Sequence, residues 1–310
     1  MNAVVQLSEQ ACQEILPEFS TWQAYLNLSF AKRKRGIRLV ASEHEGPLYV
    51  QKAFYPEGDH CAHCYLLHPP GGLVTGDKLS INITSQEHSH ALITTPGAGR
   101  VYKAREQGGI QRQAIQLNVE KNATLEWLPL ETILFPNSQA RLTTRIDLAE
   151  NAKVITWDIT CFGLPANHLE FTQGSIQQGL QIWLKGRIKL NERLVIDLPL
   201  ESPEKALTVL NGNAGFRAKP VHGLLVAGPF DSDPTQNSEL TQLIDALRSI
   251  LPPARLENAL VAVTLNGEFL TVRYLGHCTE QARLYFTQAW SLIRPALINK
   301  KAIAPRIWAT

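Results

Sequence analysis

The stretch HPPGGLVTGDKLSINIT, from His68 to Thr84, admits two readings that exclude each other. Gly71 and Gly76 have the Gly-x4-Gly spacing of a phosphate-binding loop, which must continue with Lys and then Ser or Thr to meet the outer phosphates and hold magnesium. Asp77 stands there instead, a carboxylate that repels phosphate, with Lys78 one place late and Leu79 behind it. From Lys78 onward polar and apolar residues alternate with period two. The loop therefore feeds a strand and offers no helix N-terminus to an anion. Its glycines must serve the backbone: Pro69 and Pro70 hold the chain extended, while Gly71, Gly72 and Gly76 permit positive φ and close approach.

The same alternation recurs along the chain. Leu79, Ile81 and Ile83 share one strand face, as do Leu125 and Trp127, Leu142 and Ile146, Ile155 and Trp157, and Leu180, Ile182 and Leu184. Turn signals at Gly108-Gly109, Pro136-Asn137, Gly163, Gly174 and Gly179 leave no room for a helix of ordinary length between about 48 and 200. Helical spacing comes late. Leu240, Leu243, Ile244, Leu247 and Leu251 predict a helix over about 238–251, with Ser238 as N-cap and Pro252-Pro253 as its end. Ala282, Phe286, Ala289, Trp290 and Ile293 predict a second over about 279–298, capped by Thr279 and kinked or ended by Pro295. Between them a hairpin is expected to turn at Asn266-Gly267. The fold class is mainly β: a large body of many short strands (about 36–230), then an α+β portion (about 231–310). No linker or repeat divides it, so 1–310 reads as a single domain, with PFDSDPTQNSE, from Pro229, as a mobile loop.

Composition narrows the function. With 310 residues a sizeable core can be buried, and a net charge of +2 gives no broad field to attract nucleic acid or membrane. The first residues lack a basic segment followed by an apolar stretch, and no run of about 18 apolar residues occurs, so a cytoplasmic location is expected. Five cysteines, an odd number, suggest free thiols or metal ligands before disulfides.

Candidate chemistry is sparse. In HCAHCYLLH, soft sulfur and imidazole donors suit nickel, zinc or copper. On a strand, however, Cys61 and His63 face one side while His60 and Cys64 face the other, so only a subset can meet one ion. His88 and His90 read as polar residues of a turn. GAGRVY, from Gly97, has Tyr102 where a dinucleotide fingerprint needs its third glycine. Lys32-Arg33-Lys34-Arg35 reads as a solvated turn, and no Gly-x-Ser-x-Gly elbow is present. Trp127, Trp157 and Trp183, with Asp77, Glu131 and Asp158, keep a carbohydrate-binding or carbohydrate-active protein as the alternative, although tryptophans on alternating strands suit a core.

Several stretches together resemble the urease accessory protein UreD family, called UreH in some organisms. HPPGGLVTGDKLSINI followed by ALITTPGAGRVYKA is similar to that family's glycine loop, strand and Thr94-Thr95-Pro96-Gly97 block leading to Tyr102. LEWLPLETILFPNSQA, with Trp127 and Pro129, WDITCFGLPA, from Trp157, VRYLGHCTEQARLYFTQAWSLIRPALI and PRIWAT are similar to further motifs in the family's order. The resemblance implies a scaffold that is not an enzyme. Its fold would be a two-layered, helix-like winding of strands. It would bind apo-urease and UreF, recruit the GTPase UreG through UreF, and form a hetero-oligomer, a dimer of UreD–UreF units being one form. No tightly bound cofactor is implied; nickel would pass in transit.

Ligands that accept and release an ion are scattered carboxylates and imidazoles. His68, Asp77, Glu131 and Asp158 fit, with Cys61 and His63 as a way in. Arg273, Tyr274, Trp290, Arg306 and Trp308 are candidates for a partner surface. A tight nickel store is the competing metal reading. One departure stands out: Gly163-Leu164-Pro165-Ala166-Asn167-His168-Leu169-Glu170 lacks the family's arginine, and its acid is displaced by one position, which on a strand would turn it to the other face. His168 or Glu170 would then have to substitute.

Overall fold

The computed structural model describes residues 22–105, 108–198, 209–230, 238–250 and 259–309. The strands form two large sheets. The first contains β1 (Gln23–Arg33), β2 (Gly36–Glu45), β5 (Lys78–Ser85), β8 (Gln111–Val119), β11 (Gln139–Leu148), β13 (Gly174–Leu184) and β14 (Arg187–Leu198), in the order β14-β13-β11-β8-β5-β1-β2. The second contains β3 (Tyr49–Phe54), β4 (Ala62–Leu67), β6 (His90–Thr94), β9 (Thr124–Trp127), β12 (Lys153–Phe162), β15 (Val221–Gly228), β16 (Leu260–Asn266) and β17 (Phe269–Gly276), in the order β16-β17-β15-β12-β9-β6-β4-β3. β10 (Thr132–Leu134) pairs with β12 and with β7 (Gly99–Val101).

From β4 to β13, the short β7 and β10 aside, the chain alternates between the sheets, and the strands it adds to each run parallel to one another. This is the two-layered winding that the resemblance implied. His88, Asn122 and Asn151 make equivalent corners, each with positive φ (59°, 56° and 56°), a conformation that Asn and His adopt more readily than bulkier residues. Asn151 Nδ2 donates to Asn122 Oδ1 at 3.1 Å, tying one coil to the next.

The two sheets bury different numbers of faces. In β5, Leu79, Ile81 and Ile83 point into a core between the sheets while Lys78, Ser80 and Asn82 face out, which gives the clean alternation of the sequence. The second sheet is covered on both sides. Its outer face packs under two helices, α1 (Ser238–Ile250) and α2 (Thr279–Ile298), in a second core built on Trp157, Phe286 and Trp290. β6 is buried throughout for this reason. Burial of Phe286 alone stabilises by about 2–3 kcal/mol.

Some expectations shift by a residue or a role. Among the described residues the first strand begins at Gln23, ahead of Gly36, and β16 and β17 join the edge of the second sheet, so the late α+β portion shares the body's sheet. The hairpin turns at Gly267-Glu268, with Asn266 paired to Phe269 and φ of +58° at Gly267. Residues 209–211 are also helical. Cys278, extended and without a side-chain cap bond, precedes α2, and Thr279 is its first residue. Pro295 does not end α2: its carbonyl accepts the Asn299 N–H as the chain leaves in a left-handed turn. Leu251, Pro252-Pro253 and residues 231–237 of the expected loop lie outside the described residues. Lys34 and Arg35 form the solvated turn between β1 and β2.

Candidate functional site

The glycine loop between β4 and β5 joins the second sheet through its backbone. Leu73 N–H donates to Arg100 O at 2.8 Å, and Tyr102 N–H donates back to Leu73 O at 3.0 Å. This close pairing explains Gly72, where a Cβ would stand 2.6 Å from Arg100 O and 2.7 Å from the Tyr102 ring. Gly71 and Gly76 supply positive φ, +74° and +85°. Asp77 is the polar fixture: its carboxylate accepts N–H bonds from Val74 at 2.9 Å and Trp22 at 3.2 Å. Asn at position 77 offers one acceptor for these two donors. D77N is expected to lose about 1–3 kcal/mol in urea denaturation; an unchanged midpoint would remove the fixture role.

A cavity of about 360 Å³ lies between the sheets, beneath this loop. Four motif segments converge on it: His68 to Gly72, Thr95 to Arg100, Trp127 with Pro129, and Trp157-Asp158. Leu79, Ile81, Ile115 and Leu180 supply its apolar wall from the first sheet. His68 and Asp158 supply an imidazole and a carboxylate, and the Arg100 side contributes a cation. Burial pushes the Asp158 carboxyl above its usual range, although Gln178 Nε2 at 2.6 Å and Thr160 Oγ1 at 3.3 Å donate to it and pull the other way. Burial also pushes His68 down, against the pull of Asp77, which keeps its ring neutral and a nitrogen lone pair available near pH 7.

A second polar centre is buried on the other side of the second sheet. Arg294, on α2, is fully buried; its Nη2 lies 2.6 Å from Glu57 Oε1 and its Nε 3.0 Å from Glu126 Oε1, while its Nη1 donates to the Lys301 carbonyl. Glu126 also accepts from Trp290 Nε1 at 2.6 Å and pairs with His90 Nε2 at 2.6 Å. Glu57 pairs with His63 Nε2 at 2.7 Å, and His63 Nδ1 has no partner among the described residues. Burial raises the Glu57 carboxyl, but the bonds from His63 and Arg294 overcome it and hold the pKa at about 2. Burial and the nearby Glu126 and Glu57 push the Cys61 thiol well up, so it is unreactive here. Donor atoms of Glu57, Cys61 and His63, and of Cys61, His90 and Glu126, approach within 4.8 Å of one another. Arg294 already bridges both carboxylates, so the centre acts as an ionic clamp fixing α2 and the following chain to the second sheet.

The structure thus separates the six expected metal-path residues. His68 and Asp158 share the cavity; Cys61 and His63 belong to the clamp; Asp77 holds the loop; Glu131 is half-buried beside β10, its carbonyl accepting the Gly99 N–H. His88 sits at a corner as expected, but His90 does not: it is buried in β6 against Glu126. Residues 163–170 are not a strand. Pro165–Asn167 form a 3-10 turn closed by Leu164 and Leu169, with His168 in a left-handed conformation and His168 and Glu170 exposed, so the displaced acid has no opposite face to turn to.

Of the partner-surface candidates, Tyr274 and Trp290 are buried within this chain, and Arg273 pairs with Glu192 at 2.6 Å. Arg306 is exposed. Trp308 is half-buried against Trp157 and Trp290 and donates to Thr94 Oγ1 at 2.9 Å. Glu57, Glu126 and Arg294 were not singled out from sequence, and His90 was read only as a turn residue. Their signal was present: Glu126 interrupts the apolar Leu125 and Trp127, and Arg294 follows Trp290 by four residues on the apolar stripe of α2.

Residues 23–309 match the family profile described as UreD urease accessory protein. The chain is 52% identical over 299 residues to the urease accessory protein UreD of Marinomonas sp. (strain MWYL1), covering 96% of this chain and 93% of that one. It is 42% identical to urease accessory protein UreD 1 of Psychrobacter cryohalolentis, covering 93% and 91%. It is 38% identical to the UreD of Methylobacillus flagellatus, covering 93% and 95%. The match takes in both sheets, the cavity and the clamp, and the chain therefore belongs to the UreD family of urease accessory proteins, which serve urease maturation without catalysing a reaction themselves.

Proposed function

We propose that this chain is a scaffold that binds apo-urease and UreF, and through UreF the GTPase UreG, so that nickel reaches the urease active site. The convergence of four separate motif segments on the cavity between the sheets carries this reading. A core needs only apolar filling there, yet the cavity holds the neutral imidazole of His68 and the Asp158 carboxylate. Asp158 has hydrogen-bond donors but no cation paired with it among the described residues, and a divalent ion would offset the cost of its charge. An imidazole and a carboxylate without a closed thiolate cage suit transit more than storage. Tight retention of nickel by the purified chain would favour a store.

Co-expression with UreF and UreG, followed by size-exclusion chromatography without urease, is expected to give one complex that contains all three chains. Separate elution at micromolar concentration would remove the main support for the scaffold reading.

A further inference from the structure

The outward face of the first sheet carries a line of like charges. On the parallel strands β5, β8 and β11, Lys78 is in register with Arg112, and Arg112 with Arg141. All three side chains are exposed, on strands about 4.8 Å apart. Like charges directly opposite each other destabilise a sheet. Nothing in the described residues offsets this row: Arg141 is held by the neutral Oε1 of Gln177 at 2.8 and 3.1 Å, and neither Lys78 nor Arg112 forms an ion pair.

The next row on the same face is Ser80, Ala114, Thr143 and Gly179, a floor of small side chains with exposed Arg193 beyond it. A groove of about 360 Å³ runs here between Arg141, Arg145 and Arg193. Arg145 is already paired with Asp147 at 2.8 Å and lies over Trp183. The other carboxylates of this face stand on its edge strands, Glu43 and Glu45 on β2 and Asp197 on β14, and Glu192 of β14, which also lines the groove, is already paired with Arg273 at 2.6 Å. The middle of the sheet is therefore cationic and unneutralised.

We propose that this face, centred on the row Lys78, Arg112 and Arg141, docks an acidic protein surface. The proposal rests on the scaffold reading only in taking the partner to be a protein. A sheet that binds single-stranded RNA presents aromatic rings on its central strands for bases to stack on; Ser80, Ala114 and Thr143 present none. A floor of small side chains flanked by guanidinium groups instead suits carboxylate side chains of a facing protein, which Arg can bind in fork geometry.

The test uses the full chain and the double variant R112Q/R141Q. A labelled oligoglutamate and an oligouridylate of equal length are titrated against both by fluorescence anisotropy, at low and at physiological salt. The wild type is expected to bind oligoglutamate in a salt-dependent way, and the variant about tenfold more weakly. The variant's melting temperature should hold or rise, because a repulsion has been removed. Equal affinities, tighter binding of oligouridylate, or a lowered melting temperature would each overturn the proposal. In a second arm, both proteins are run with apo-urease, UreF and UreG at physiological salt. Loss of one partner from the variant's complex supports the docking face, and retention of every partner the wild type binds sinks it. Should the wild type bind none of them, the scaffold reading fails while the oligoglutamate titration still decides the surface.

Discussion

Replacing Arg294 by Met is expected to destabilise the protein by about 3–5 kcal/mol, the usual cost of leaving a buried charge without its partner. Methionine preserves most of the volume. The loss therefore falls on Glu57 and Glu126, which would keep their burial and lose the guanidinium that lies 2.6 and 3.0 Å away. The effect depends on pH with a definite sign. In the wild type, Glu57 has a folded pKa of about 2 against an ordinary 4.5. A depressed carboxylate contributes stability that is complete above the ordinary value and lost as pH falls toward the folded one, on the order of 3 kcal/mol here. Without Arg294 that depression shrinks, so the variant has less to lose. The gap between the two proteins should be widest above pH 4.5 and narrow between there and about 2. Urea denaturation at a series of pH values measures it. A gap below about 1 kcal/mol at neutral pH would mean that water reaches both carboxylates and that the clamp is open.

The second large effect concerns cargo rather than stability. Asp158→Asn keeps the shape of the side chain and one acceptor for Gln178 and Thr160, but removes the charge from the cavity. If nickel uses this cavity, the nickel content of urease matured with the variant should fall about tenfold, in the range seen when groups around a metal site are altered. Stability should move the other way. A carboxyl whose folded pKa is raised by burial contributes stability when protonated and loses it as pH rises through that pKa, so at neutral pH the uncharged variant should be at least as stable as the wild type. The complex with UreF and UreG should stay intact. Normal nickel loading with an intact complex would exclude Asp158 from the route; a dispersed complex would make it a structural residue.

How much of this was legible beforehand differs by residue. The period of two in KLSINIT was visible because β5 buries one face only, and its outward residues remain polar. The stripe of α2 was visible for the same reason at helical spacing. β12 was harder, because Val154 and Thr156 are buried along with Ile155 and Trp157. A strand covered on both faces carries no alternation to read.

The sites divide along the same line. His68 and Asp158 could be nominated from sequence because they lie in recognisable stretches, while Asp77 and Glu131 were equally eligible by residue type. Only their neighbours separate them: Asp77 spends its oxygens on two backbone N–H groups, and Asp158 faces the cavity. Sequence alone determined the strand-rich architecture, the two helices, the absence of a phosphate loop and the family, since these rest on local period, local turn chemistry and contiguous motifs. Tertiary structure decided the clamp of Glu57, His63, His90, Glu126 and Arg294, and the cationic row of Lys78, Arg112 and Arg141. Glu126 and Arg294 are 168 positions apart, and the row draws on three coils of the winding. A charge's meaning depends on what stands within a few ångströms of it, and that is set by how the coils stack and where α2 docks, which local pattern does not encode.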